Sequence, residues 1–138
     1  MLELDATAVA VGPVYPQTST ATITGNLAFG LVGQGAFHNS PGSYQGDADG
    51  QITVSGTSVT AGNLDINNFS AVFAADPITT TGTSMTAPGA NGRGTLVLAV
   101  SNPAATYNLV YYTIDAHTAV LFDQDATRIA AGALAFQF

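Results

Sequence analysis

Two short segments combine carboxylate and amide side chains that could bind a metal ion. Asp47-Ala48-Asp49-Gly50 is followed along the chain by Asp65-Ile66-Asn67. Calcium prefers about six to eight hard oxygen ligands, and alternate Asp and Asn side chains can supply several of them. The EF-hand spacing is absent, because no third alternating Asp or Asn and no closing glutamate follow Asp49. We therefore expect a structural Asp-Gly turn without a cofactor, and keep calcium as the alternative. The ligands in that alternative are Asp47, Asp49, Asp65 and Asn67.

Two further groups have weaker metal or acid–base character. Asp123 and Asp125 form a second acidic pair at the end of an apolar run. Asp115 and His117 share one face of an extended segment, as metal sites and proton-exchanging pairs require. A zinc site with three protein ligands would need His117, His38 and an aspartate, because the chain has no cysteine. We expect turns between strands at both places.

The sequence offers no arrangement typical of an enzyme. It has no Gly-x-Ser-x-Gly nucleophile motif, and no glycine-rich phosphate loop that opens a helix. Its aspartate pairs could serve a glycosidase, but the chain lacks the tryptophans common in such clefts. We therefore predict a protein that is not an enzyme.

Tyrosines are the residues that could bind a carbohydrate, because sugars stack on exposed aromatic rings. The five are Tyr15, Tyr44, Tyr107, Tyr111 and Tyr112. Adjacent residues of a strand point to opposite faces, so we expect one of the last two in the core and the other at the surface.

Charge limits the partners that the protein can have. The 138 residues include 9 acidic and only 2 basic side chains, Arg93 and Arg128, and the net charge is −7. Contacts to phosphate groups need Lys or Arg, so nucleic acid and anionic membrane surfaces are excluded as partners. No apolar run approaches the roughly 18 residues of a membrane-spanning helix. The composition is acidic, rich in Thr and free of Lys, with most of its length uncharged, and this is typical of secreted or cell-surface β proteins.

The elements that must position these residues are strands. Apolar side chains alternate in Leu27, Phe29 and Leu31, and again in Leu96, Leu98 and Val100, which is the period of a half-buried strand. The same pattern covers residues 66–73, 107–114, 120–122 and 134–138. The predicted turns are 39–42, 47–50, 61–63, 91–94 and 101–103. The spacing predicts one all-β domain of eight to ten strands, an antiparallel meander that closes into a barrel or flattened barrel, with a sandwich as the alternative.

The two ends of the chain differ from the middle. Pro13 and Pro16 interrupt the first segment, so we expect residues 1–22 to be a linker or an edge strand, with exchange between subunits as an alternative. The all-β domain then covers residues 23–138. The alternation at residues 133–138 predicts a strand that closes the sheet or joins a subunit interface.

Several motifs together resemble an uncharacterised bacterial β domain. They are Gly42-Ser43-Tyr44, Asp47-Ala48-Asp49-Gly50-Gln51-Ile52-Thr53, Asn63-Leu64-Asp65-Ile66-Asn67 and Asn91-Gly92-Arg93-Gly94-Thr95-Leu96. Domains of this kind look like units repeated in tandem within long secreted or surface-anchored proteins, and the resemblance covers about residues 23–137. It implies an extracellular module without an assigned activity.

The predicted function is a structural surface module that assembles with copies of itself or with neighbouring similar modules. Soluble sheets usually protect their edges with lysine, and this chain has none. We therefore expect its uncharged faces and edges to meet other protein, and a terminal strand to join subunits into an oligomer or filament. A barrel that binds a small molecule or a carbohydrate is the alternative function.

Overall fold

The computed structural model describes residues 2–4, 9–35, 44–68, 71–102 and 104–138. Ten strands and no helix occur in these ranges, so none of them contains a helix able to cross a bilayer. The strands are β1 (Leu2–Leu4), β2 (Val9–Val11), β3 (Gly25–Gly35), β4 (Tyr44–Ser55), β5 (Ser58–Asn67), β6 (Val72–Met85), β7 (Arg93–Ser101), β8 (Ala104–Thr113), β9 (Thr118–Asp123) and β10 (Arg128–Phe136).

Eight strands form a closed barrel. Strands β3 to β10 each pair antiparallel with the next along the chain, and β10 returns to pair with β3 over nine residue pairs. This is an up-and-down meander, so the predicted all-β barrel is confirmed and the sandwich alternative is wrong. The C-terminal strand closes the sheet, as its alternating pattern predicts.

Alternating side chains fill the barrel. Leu27 and Leu31 of β3 and Leu96 and Leu98 of β7 are each at most 1% exposed. Large rings pack where the facing strand has no side chain. A Cβ on Gly50 would lie 2.9 Å from the ring of Phe29, and one on Gly94 would lie 2.6 Å from the Tyr111 hydroxyl. An eight-stranded barrel has an interior just wide enough for side chains to fill it, and glycines make room for the aromatic ones.

Two predicted turns are wrong, because their glycines make room for side chains within strands instead of bending the chain. Asp47–Gly50 lies in the middle of β4, and residues 61–63 lie in the middle of β5. Gly50 and Gly62 are strand positions that accommodate Phe29 and Ile78, and the turn that joins β4 to β5 is at Gly56 and Thr57. Two other predicted turns are confirmed, next to Asn91 and at Asn102.

Other boundaries also differ from the predictions. The strand expected over residues 66–73 is interrupted after Asn67, and β6 begins at Val72. The turn predicted at 39–42 lies outside the described residues. Tyr111 is buried and its neighbour Tyr112 is 37% exposed, so the prediction of opposite faces is confirmed.

The first two strands form a sheet of their own. β1 pairs with β2 only, and neither strand joins the barrel. The chain then reaches the barrel rim, where the Thr18 and Ser19 N–H groups donate to the Ile114 carbonyl over 2.7 and 3.3 Å. Ile23 follows and is fully buried in the core. The segment before β3 is therefore fixed to the barrel from about Gln17 onward.

The packing of Tyr111 on Gly94 generates a stability prediction. Gly94→Ala should lower the free energy of unfolding by about 1–3 kcal/mol, because the new methyl group overlaps with a buried ring. Gly89→Ala is the matched control, since its Cβ would meet no atom closer than 3.5 Å. Urea denaturation measures both variants, and equal midpoints would contradict the packing described.

Candidate functional site

Charged side chains gather at one end of the barrel, which we call the polar end. Its members are Asp76, Tyr107, Asp123, Asp125 and Arg128. The turn between β9 and β10 brings Asp123 and Asp125 back towards Arg128, the first residue of β10. The Arg128 Nε donates to Asp123 Oδ2 over 2.5 Å and Nη2 donates to Asp125 Oδ2. The side chains of Arg128 and Asp123 are 4% and 0% exposed, so this ion pair is removed from water.

The pair is held on several sides. The Arg128 guanidinium carbon lies 4.3 Å from the centre of the Tyr107 ring, within range of a cation–π contact. Asn108 of β8 donates from its side-chain Nδ2 to Asp125 Oδ1 over 2.6 Å. The network thus connects β8, the β9–β10 turn and β10 with charge-assisted hydrogen bonds.

Burial dominates the electrostatics of the polar end. It raises the pKa of Asp123, although the hydrogen bond from Arg128 acts in the opposite direction. Burial also raises the pKa of Tyr107 to about 12, where the charge of Arg128 again opposes the shift and that of Asp76 adds to it. The removal of these groups from water therefore outweighs the attraction of the single buried arginine.

Sequence reasoning identified only part of this cluster. The acidic pair Asp123 and Asp125 was expected at a turn, and the structure confirms the turn and makes both residues partners of Arg128. Asp76 and the position of Tyr107 inside the barrel were missed. The available signal was Arg128, one of only two basic residues, in a strand whose other residues are apolar or small.

The four predicted calcium ligands do lie together, on the outside of the barrel. Asp47 is opposite Asn67 and Asp49 is opposite Asp65 on β4 and β5, and we call these four residues the acidic patch. Desolvation, followed by the charges of Asp47 and Asp65, raises the pKa of Asp49. Among the described residues no group of three or more His, Asp or Glu side chains has a geometry that could hold a metal ion. Calcium at the acidic patch stays a prediction.

The predicted pair of Asp115 and His117 forms a turn. Asp115 Oδ1 accepts the His117 backbone N–H over 2.8 Å, and this hydrogen bond lowers the pKa of Asp115. The imidazole ring lies 5.6 and 5.9 Å from the ring centres of Phe136 and Phe138. The turn predicted between β8 and β9 is confirmed. His38, the other predicted zinc ligand, lies outside the described residues.

An apolar groove lies between the N-terminal segment and the outer face of the barrel. Its volume is about 860 Å³, within the usual range of ligand sites. One wall is residues 12–15 with Gln17, the floor is the outer face of β8, β9 and β10, and no described lining residue is charged. Tyr15, Tyr112 and Phe122 present aromatic rings to it, and the Tyr112 and Phe122 rings meet edge to face at 6.2 Å.

Two of the five tyrosines considered for sugar binding, Tyr15 and Tyr112, line the groove. Tyr107 and Tyr111 are inside the barrel, where no sugar could stack on them. The side chain of Tyr44 lies outside what the structure describes. Gln17 fixes the groove wall, because its Nε2 donates to the carbonyls of Thr113 and Asn91 over 2.8 and 3.2 Å.

Comparisons with protein-family models, with curated proteins and with solved structures find no match to this chain.

The buried ion pair generates a mutational prediction. Arg128→Met should lower the free energy of unfolding by about 3–5 kcal/mol, because Asp123 is left as an uncompensated buried carboxylate. Arg93→Met is the control, since Arg93 is exposed at the start of β7 and should change stability by less than about 0.5 kcal/mol. Urea denaturation measures both variants, and equal losses of stability would contradict the buried ion pair.

The acidic patch generates a pH prediction. The pKa of Asp49 is raised in the fold, so its ionised form weakens the native state and this penalty vanishes as the pH falls below the ordinary aspartate range. Asp49 is exposed, so solvent screens its repulsion, and Asp49→Asn should raise stability at pH 7 by at most about 0.5 kcal/mol. The gain should disappear near pH 3.

Asp115→Asn is the control, because it should change the stability at pH 7 in the opposite direction. The pKa of Asp115 is lowered, so its ionised form stabilises the fold, and this contribution is present at neutral pH and lost as the pH falls through the lowered pKa. Chemical denaturation at both pH values measures the two variants. If both variants gain stability at pH 7, or both lose it, the pKa directions assigned to Asp49 and Asp115 are wrong.

Proposed function

We propose that the protein is a non-enzymatic structural module of a secreted or surface-anchored bacterial protein, which associates with copies of itself. The observation that carries this proposal is the β1–β2 hairpin, which pairs with no strand of the barrel. A two-stranded ribbon alone is at best marginally stable in water. It gains stability if it packs on the surface of another copy.

The apolar groove is the surface that we assign to that second copy. The groove wall, residues 12–15, directly follows β2 in the chain, so the β1–β2 hairpin of each copy starts next to that copy's groove. In a pair of copies, the hairpin of one would bind in the groove of the other. The hairpin sequence supplies apolar residues at alternate positions, Leu2 and Leu4 in β1 and Val9 and Val11 in β2. Because the described groove residues are uncharged, the contact would require little desolvation of charge.

The filled core supports a protein that binds partners on its outer surface rather than a ligand inside the barrel. Side chains from both sides of the barrel meet inside it, and the aromatic rings of Phe29 and Tyr111 occupy the space over glycines. The catalytic residue pair considered in the sequence, Asp115 with His117, is engaged in a turn. These features support a module that acts through contacts with other protein.

Ligand binding is the second candidate function, and one observation favours it. Tyr15, Tyr112 and Phe122 all line the groove, with the amides of Gln17 and Asn91 close by. Aromatic rings beside amides are the chemistry that recognises neutral sugars. The groove floor is apolar and no carboxylate lies among the described lining residues, so we place this candidate second.

Removal of the hairpin tests the proposed self-association. The variant that lacks residues 1–12 keeps the segment from Gln17 to Ile23 that is fixed to the barrel. We expect the full chain to form oligomers whose mass by light scattering rises with concentration, and the shortened chain to stay monomeric with the same thermal stability. A full chain that is monomeric over the whole concentration range would contradict the proposal.

A matched pair of substitutions locates the contact. Phe122→Ser changes a groove residue that is 44% exposed, and Val72→Ser changes an apolar residue that is 71% exposed away from the groove. The first should weaken association and the second should not. Equal effects of the two would show that the groove is not the contact surface.

A further inference from the structure

The turn between β6 and β7 contains Asn91-Gly92, the only place in the sequence where glycine follows asparagine. The backbone nitrogen that follows an asparagine can attack the side-chain amide of that asparagine. Glycine permits this attack most readily, because it has no Cβ to obstruct the approach and its backbone dihedral angles are the least restricted. Asn91 is also exposed, so water can reach the site of such a reaction.

Hydrogen bonds within the turn engage both reacting groups. The Gly92 N–H, whose nitrogen would be the nucleophile, donates to the Gly89 carbonyl over 2.8 Å. Asn91 Oδ1, which belongs to the amide that would be attacked, accepts the Arg93 backbone N–H over 3.2 Å. The attack therefore requires the turn to open first.

The N-terminal segment holds this turn in place from outside. Gln17 Nε2 donates to the Asn91 carbonyl over 3.2 Å and to the Thr113 carbonyl over 2.8 Å, so one amide joins the turn to the end of β8. The same side chain covers Gly92, which is buried with a φ of 73° and where a Cβ would collide with Gln17 Nε2. Release of Gln17 would remove a hydrogen bond from the turn and uncover its glycine.

We propose that Asn91 is a deamidation site whose reaction rate is set by the docking of Gln17. The Gly92 nitrogen attacks Asn91 Cγ and loses its proton, the Cγ–Nδ2 bond breaks, and ammonia leaves a five-membered succinimide. Water then opens this ring at either carbonyl, which yields aspartate or isoaspartate at position 91. The net reaction exchanges ammonia for water and needs no other co-reactant.

Both products change the apolar groove, which Asn91 lines. Each places a carboxylate at position 91, whereas no described residue that lines the groove is charged. In isoaspartate the main chain runs through the side chain, so the carbonyl that accepts Gln17 becomes part of a free carboxylate. If the groove binds a second copy, as proposed above, the modified chain should associate more weakly. The deamidation itself does not depend on that function.

Peptide mapping by mass spectrometry, after incubation of the full chain at mildly alkaline pH, measures the rate of conversion at position 91. We expect slow conversion in the unchanged chain and faster conversion in Gln17→Met, which keeps the length of the side chain but removes its N–H donors. The expected increase is about fivefold, the effect of one lost hydrogen bond on the opening of the turn. Gln51→Met, at an exposed glutamine of β4, is the matched control and should not change the rate.

The chain unfolded in urea supplies an independent readout, which serves if Gln17→Met does not fold. Asn91 should convert faster there, because no hydrogen bond of the turn remains. Asn63, which is exposed but followed by the bulky Leu64, should convert slowly in both states.

Three results would overturn the proposal. They are an Asn91 that stays unmodified in urea, equal rates at Asn91 in the folded and unfolded chains, and equal rates in Gln17→Met and Gln51→Met. A chain that deamidates as expected but stays monomeric would support the proposal and contradict only the self-association.

Discussion

The pairing of β10 with β3 is the constraint on which the rest of the structure depends. Without it the eight strands would form an open sheet with two edges, and the interior would be exposed along one side. The two backbones approach closely because glycines lie on both strands. A Cβ on Gly33 would be 2.6 Å from the Cα of Ala130, and one on Gly132 would collide with the backbone of Gly30. Closure also places Arg128 at the barrel end, where its acidic partners meet it.

Closure of the barrel offers a different explanation for the absence of lysine. An open sheet needs charged residues to protect its edges, and the sequence suggested that unprotected edges meet other protein. The barrel has no free edge among β3 to β10, so the absence of lysine needs no partner to explain it. The surfaces left for a protein partner are the outer faces of the barrel and the β1–β2 hairpin, in which each strand pairs only with the other. Asp47 and Asp49 lie within β4 rather than in the predicted turn, so these acids are on a strand face.

Much of the fold was predictable because strand alternation is a local property. The inward side chains of β3 and β7 were identified from period-two patterns alone. The turn at Asp47–Gly50 was wrong because an Asp-Gly pair is common in turns, and only the ring of Phe29 across the strand pair explains why glycine stands there. A glycine that makes space for a distant side chain and a glycine that bends the chain look alike in one sequence.

The candidate sites show the same division. The acidic patch joins cross-strand neighbours of one hairpin, so the sequence predicts that its residues lie together, but it wrongly places Asp47 and Asp49 in a turn instead of within a strand. The polar end joins residues of β6, β8, β9 and β10, and nothing in the spacing of Asp76, Tyr107 and Arg128 shows that the barrel brings them together. Such a cluster is visible only after the sheet closes.

Residue-resolved amide hydrogen exchange on the barrel tests the central claim of closure most directly. If β10 and β3 close the sheet, the paired amides of Gly25–Gly35 and Arg128–Phe136 should exchange as slowly as those of the central β7–β8 pair, through global unfolding. The β1–β2 amides of the monomer should exchange far faster. Fast exchange along both β3 and β10 would mean that these strands are the edges of an open sheet, and would contradict the closed barrel.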